Sequence, residues 1–196
     1  MRGTRAVSVA RGIVFVLVLL LAFGAYPARG ATKTRTYTNT DGILVWSSGS
    51  AIPYPSEIKV GGALKGGRVT DVNVTLIFIV HPYPSELDIL LRGPSGRTLV
   101  LMSDVVAANQ SGMPLNFTLD DEASGWLTST THAGGTYKPS DDAYPDFFAD
   151  PAPQHMFLQV FDGGPASGTW TLFVTDDTSD SGGSIAGWSL TITARV

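Results

Sequence analysis

The sequence predicts an all-β fold, a jelly-roll sandwich or barrel of about eight or nine antiparallel strands. Three observations predict it. Short apolar runs alternate with period two, and clusters of Gly, Pro, Asn, Asp and Ser separate them. Downstream of Gly30 no stretch repeats its apolar residues at the spacing of an amphipathic helix.

The residues up to Gly30 stand apart from that fold. Arg2, Arg5 and Arg11 make a basic start, and an apolar run of Val, Leu and Phe fills 12–25. The run is shorter than the about 20 residues a comfortable membrane span needs. Ala28 and Gly30 are small residues at −3 and −1 of a cleavage after Gly30, the pattern of a secretory signal peptide rather than a retained anchor. The expectation is a secreted, extracellular chain starting near Ala31, with a lead-in over 31–51 that has room for a first strand, and a β domain over 52–196.

Charge and cysteine content narrow the function classes. Of the 13 Lys and Arg, four precede Ala31, as do none of the 17 Asp and Glu, leaving nine basic against 17 acidic residues and a net charge of −8. That balance argues against nucleic acid, whose phosphates need a basic surface, and suits cations. With no cysteine there is no disulfide, thiol chemistry or zinc–thiolate site. The roughly 165 remaining residues suffice to bury a core without staples.

Strands are expected at 43–46, 56–60, 70–80, 87–91, 98–102, 115–119, 156–161, 170–175 and 188–194. The third has the clearest pattern. Val72, Val74, Leu76, Phe78 and Val80 share one face, while Asp71, Asn73 and Thr75 begin the other, which turns apolar at Ile77 and Ile79. In the last strand Trp188, Leu190 and Ile192 point inward and Ser189, Thr191 and Thr193 outward, as a half-buried antiparallel strand requires. Trp170 and Trp188 are therefore core residues. Gly93-Pro94-Ser95-Gly96 is a tight turn. No strong strand pattern covers 120–154, and a loop that long in a compact domain usually carries function.

Hydrolytic chemistry needs a nucleophile, a base and an orienting acid. The histidines are His81, His132 and His155, and Ser95 lies in a turn rather than a nucleophile elbow, so the chain reads as non-enzymatic. His81 ends the clearest strand and is expected to hydrogen-bond within the fold. Acidic clusters offer the best site. Asp120-Asp121-Glu122 follows a strand end, Asp141-Asp142 lies in the long loop, and Asp176, Asp177 and Asp180 share a turn. Calcium takes six to eight oxygens, which such loops supply. Asp176, Thr178 and Asp180 have the spacing of the start of an EF-hand, but Ser181 and Gly187 stand where that loop needs its Gly and closing Glu. A solvated Asx turn is the competing reading. The chosen calcium ligands are Asp120, Asp121, Asp176 and Asp180, with the first two favoured. Trp46 and Trp126 lie in irregular stretches, where an exposed indole could stack on carbohydrate.

Three blocks resemble the P domain (Homo B domain) of kexin-like and furin-like subtilisin proteases. The first is Ile52-Pro53, Ser56-Glu57-Ile58-Lys59-Val60 and Gly67-Arg68-Val69-Thr70-Asp71-Val72-Asn73-Val74. The second is His81-Pro82-Tyr83-Pro84-Ser85-Glu86-Leu87-Asp88-Ile89-Leu90-Leu91 running into Gly93-Pro94-Ser95-Gly96-Arg97-Thr98. Gly168-Thr169-Trp170-Thr171-Leu172-Phe173-Val174-Thr175-Asp176, then Gly182-Gly183 and Trp188-Ser189-Leu190-Thr191-Ile192, make the third. Ser85-Glu86 replaces the family's usual Gly-Asp, and 138–157 looks longer than normal. The resemblance implies an eight-stranded jelly-roll barrel that packs beside a subtilisin-like domain and stabilises it, with structural calcium known in related bacterial domains. With no catalytic domain of its own, the chain would meet a subtilisin-like protease, or another extracellular protein, in trans. A calcium-dependent carbohydrate-binding or adhesion module is the alternative.

Overall fold

Alternating burial organises the protein, a computed structural model describing residues 30–109, 112–142, 148, 151–152, 157–179 and 181–196. In chain order the strands are β1 (Thr32–Asn39), β2 (Ile43–Val45), β3 (Gly49–Ser50), β4 (Ser56–Val60), β5 (Arg68–Val80), β6 (Leu87–Arg92), β7 (Thr98–Ser103), β8 (Leu115–Leu119), β9 (Gly135–Tyr137), β10 (Ser140–Asp141), β11 (Gly168–Asp176) and β12 (Gly183–Arg195). They form two six-stranded sheets. One runs β1-β12-β5-β8-β9, with β2 also on β12. The other runs β10-β7-β6-β11-β3, with β4 also on β11.

The sheets meet through their apolar faces, as in a sandwich. Trp170, Leu172 and Val174 of β11 and Trp188, Leu190 and Ile192 of β12 are all buried. Both indoles satisfy their N–H. Trp170 Nε1 donates to the Ala166 carbonyl at 3.1 Å, and Trp188 Nε1 to Ser56 Oγ at 3.0 Å. The Trp188 bond crosses from one sheet to the other, since Ser56 belongs to β4. Phe161 meets Trp170 edge-on, ring centroids 4.9 Å apart.

Several sequence expectations are corrected. The described chain has more strands than foreseen, and not all pairs are antiparallel: β8–β9 and β7–β10 run parallel. Leu158–Phe161 is a 3₁₀ turn rather than a strand, and Met156 lies outside the described residues. β1 carries Thr, Lys and Arg in place of an apolar alternation. It is nonetheless a full strand, because its backbone pairs with β12 from Thr32↔Arg195 to Asn39↔Trp188. Hydroxyl pairs Thr34–Thr193 and Thr36–Thr191, each 2.8 Å, add to that pairing.

The face assignment of β5 holds only to Leu76. Phe78 has φ 52°, and the pairing with β8 shifts register between Leu76 and Ile79. The extra residue resets the alternation, so Ile79 is buried and Phe78 is 50% exposed. β12 resets in step, since Ile185 and Trp188, three apart, are both buried.

Strand directions give the sandwich two distinct ends. Val80, Leu87, Ser103, Asp176 and Gly183 end or begin strands at the upper end, while Arg68, Arg92, Thr98, Gly168 and Arg195 do so at the lower. Gly30 and Val196 meet at the lower end, where the Val196 N–H donates to the Ala31 carbonyl at 2.9 Å.

Trp188→Ala should cost about 3–5 kcal/mol, the usual range for truncating a buried Trp. Trp46→Ala, at an exposed position, should stay within about 0.5 kcal/mol of wild type. Urea unfolding reads both, and an unchanged midpoint for Trp188→Ala would mean the two sheets do not meet through this side chain.

Candidate functional site

Two polar centres occupy opposite ends of the sandwich. At the upper end β5 delivers His81 against the end of β11 and the start of β12. A Cβ on Gly183 would lie 2.2 Å from the Val80 carbonyl oxygen and 2.6 Å from His81 Cδ2, so only glycine lets the imidazole lie there. His81 and Asp176 are each 1% exposed. His81 Nδ1 accepts the Tyr83 N–H at 3.1 Å, which leaves the ring proton on Nε2, 3.0 Å from Asp176 Oδ2. The other Asp176 oxygen accepts the Thr178 N–H at 3.0 Å. Burial pushes the Asp176 carboxyl up from its ordinary value, against the opposing pull of the Thr178 amide and His81.

Glu86 completes this cluster, with ligand-type atoms of His81, Glu86 and Asp176 within 4.8 Å of one another. A metal would need a free lone pair on the imidazole. Nδ1 spends its lone pair on Tyr83 and Nε2 carries the proton, so the trio fits a metal poorly. Ser181 Oγ donates to Glu86 Oε2 at 3.1 Å, and the Asp177 N–H to the Glu86 carbonyl at 3.1 Å. The arrangement latches the 81–86 loop to the turn between β11 and β12, the fold-internal hydrogen bonding expected of His81.

At the lower end Asp120 and Asp121 follow β8. Asp120 Oδ1 accepts the Glu122 N–H at 2.8 Å, an Asx turn. Asp121 caps the 3₁₀ turn, its two oxygens accepting the Leu158 N–H at 3.0 Å and the Gln159 N–H at 2.8 Å. Lys138 Nζ donates to the Asp121 carbonyl. Asp71 of β5 and Asp162, just past the 3₁₀ turn, come in beside them. Asp71, Asp121, Glu122 and Asp162 line a cavity of ≈ 20 Å³ with Thr70 and Gln159. That is room for a single water or ion.

The carboxylates crowd one another. Burial and then the charge of Asp120 push Asp71 up from its ordinary value. Burial and then Asp71 and Asp121 do the same to Asp162. For Glu122 the hydrogen bond with Asp120 is the leading cause, followed by burial.

Of the four ligands chosen from sequence, Asp120 and Asp121 thus sit together, Asp176 is at the opposite end bonded to His81, and Asp180 lies outside the described residues. Sequence reasoning missed Asp71 and Asp162. Asp71 reads as an ordinary outward strand residue and Asp162 as a turn residue, and only the pairing of β5 and β8 and the packing of the 3₁₀ turn on β5 unite them with Asp120. Beside Asp121, Trp126 and Phe157 are 46% and 39% exposed and meet at 63°, centroids 5.8 Å apart.

A raised folded-state carboxyl means the native protein holds protons that the unfolded chain has released. Stability from Asp71, Glu122 and Asp162 is therefore present at low pH and lost as pH rises through their raised values. In metal-free buffer these groups should make the protein melt higher at pH 5 than at pH 7.5. Asp71→Asn should raise the pH 7.5 melting temperature and flatten the difference. A variant that melts like wild type at both pH values would show that Asp71 is not crowded.

No curated protein sequence matches the chain. The serine protease of Aeromonas sobria matches in structure at 17% identity and a TM-score of 0.43, over 84% of this chain and 27% of its own. The complex of the Aeromonas sobria serine protease with the chaperone ORF2 matches at 17% identity and 0.44, over 85% and 27%. The chain thus spans about a quarter of the length of these matches. The proprotein convertase P-domain family model matches residues 69–192, from the start of β5 to near the end of β12. That span contains His81 and Asp176 as well as the Asp120–Glu122 turn, and it is well over half of the chain. The chain belongs to the proprotein convertase P-domain family, a non-catalytic, protease-associated kind of domain.

Proposed function

We propose that this chain is a secreted, non-catalytic module that docks on a subtilisin-like serine protease, or another extracellular protein, and stabilises it. Family membership over residues 69–192 carries the reading. The chemistry of the upper end agrees with it, because both nitrogens of His81 are committed to Tyr83 and Asp176 rather than to a serine hydroxyl. The basic start, apolar run and small residues before Ala31 support export. A carbohydrate-binding module is the second reading, favoured by the exposed Trp126–Phe157 pair beside an acidic turn. Rings meeting at 63° make a wedge rather than a platform, so docking on protein stands ahead.

The lower acidic cluster fits calcium. Asp71, Asp121, Glu122 and Asp162 offer hard oxygen donors around an ion-sized space, with Asp120 beside them. Burial, and after it the neighbouring carboxylates, raise Asp71 and Asp162, and a bound divalent cation would offset that mutual charge. Bound there, calcium would tie β5, the turn after β8 and the 3₁₀ turn together as a structural ion.

Two measurements test these readings. The secreted protein should bind a purified subtilisin-like protease of its source, its catalytic serine replaced, and raise that protease's melting temperature. Casein cleavage by the chain itself that disappears in His81→Ala would overturn the non-catalytic reading. A ligand at a hundredfold excess over Kd stabilises the folded state by about 2.7 kcal/mol. At about 2–4 °C per kcal/mol for a chain of this size, calcium should raise the melting temperature by several degrees. Asp71→Asn with Asp120→Asn should remove most of that gain. Identical melting in calcium and in EDTA would rule the ion out.

A further inference from the structure

The upper end carries apolar surface that the fold leaves open. Leu44, Trp46 and Ile52 are 47%, 52% and 56% exposed. Leu44 and Ile52 exchange both backbone hydrogen bonds, at 2.8 and 2.9 Å, so their side chains stand together on one face. Leu44 lies opposite Ser184, and Ser184 opposite Val80, which extends the row across the outer face of the sheet. Phe78 is two residues before Val80 on β5.

Phe78 points most directly to a purpose. Its φ of 52° is uncommon for any side chain and an outlier for a bulky one. Asn116 Oδ1 holds the conformation by accepting the Phe78 N–H at 2.8 Å. Asn or Gly would meet the same backbone demand without strain. Here the strained position displays a half-exposed aromatic ring that the core does not use. Strain and clustered apolar exposure of this kind mark interaction surfaces.

Charge says what the surface fits. Asp41, Glu86, Asp104, Asp142 and Asp177 lie at this end, and no described loop here holds a Lys or Arg. The basic residues sit elsewhere, with Lys33, Lys65, Arg68, Arg97 and Arg195 on the lower strand ends and turns. An acidic rim repels anionic lipid, and two such rims facing each other would repel in a symmetric dimer. Gly30, the first described residue, and the C-terminal Val196 are at the opposite end.

We infer that the upper end, centred on Leu44, Ile52 and Phe78, is the docking surface for a protein whose contact patch is apolar at its centre and basic around it. The inference rests on the docking reading and adds where contact occurs and what chemistry the partner presents.

Titration calorimetry of the full secreted protein against the same inactive subtilisin-like protease tests it. Phe78→Asn suits the backbone and should melt at or above the wild-type temperature, so a binding change cannot come from misfolding. It should weaken binding at least about tenfold, as should Leu44→Ser with Ile52→Thr, whereas Lys65→Ala should not; added salt should weaken the wild-type complex. Wild-type binding that all variants share would overturn this surface and leave the docking reading standing. Absence of any wild-type binding would overturn the protease as partner. The surface would then be judged on a synthetic peptide alternating Lys with Leu and Trp, and failure of that peptide to bind, or equal binding by Phe78→Asn, would overturn it too. Binding to vesicles of phosphatidylcholine and phosphatidylglycerol, or self-association in sedimentation equilibrium, that Phe78→Asn abolishes would overturn the partner chemistry.

Discussion

The pairing of β5 with β12 is the constraint on which the rest depends. Both strands are 13 residues long, and their register runs from Arg68↔Arg195 to Val80↔Ser184. A ladder of that length fixes both ends of the protein relative to the core. In the middle it sets Val74 and Leu76 beside Trp188 and Leu190. At the upper end it brings His81 over Gly183, where a side chain in place of the hydrogen would push the strands apart. At the lower end it places Asp71 opposite Thr193, on the outer face, within reach of the acidic turn after β8.

That ladder also explains which parts of the protein are legible in the sequence. Trp188, Leu190 and Ile192 alternate with Ser189, Thr191 and Thr193, and burial follows the alternation because β12 has a neighbour on each side and a core on one face. β1 gives no such signal. It is an edge strand over the rim, so Thr, Lys and Arg serve as well as apolar residues, and its stability comes from backbone bonds that composition does not report. Phe78 was misread for a related reason. Period two is a local rule, and the register shift against β8 breaks it at a place where the residues on both sides are equally apolar. The 156–161 stretch alternates well enough to suggest a strand, yet Asp121, far away in the chain, caps Leu158–Phe161 as a 3₁₀ turn.

The acidic site was half legible for the same physical cause. Asp120 and Asp121 are adjacent in sequence, and clustering is visible there. Their partners Asp71 and Asp162 come from a strand and a turn, and bringing them in requires knowing the sheet order. Asp176 looked like a ligand because it begins an acidic run. In the fold it is buried and bonded to His81 Nε2, as buried polar groups commonly are.

The two ends therefore carry different burdens. Repulsion among the lower carboxylates acts on stability, since it changes with protonation or with a bound cation and involves groups that tie β5 to two turns. At the upper end the buried His81–Asp176 pair is bonded internally and shielded from water. A surface meant to hold a protein partner benefits from that separation. The β5–β12 ladder joins the two ends and fixes where Phe78 and Leu44 stand. Because the ladder is rigid and the latch at His81 closes its upper end, a cation at the lower end would act on docking through the fraction of folded protein and not through a change in the shape of the contact surface. Affinity per folded molecule should then be indifferent to calcium even where melting is not.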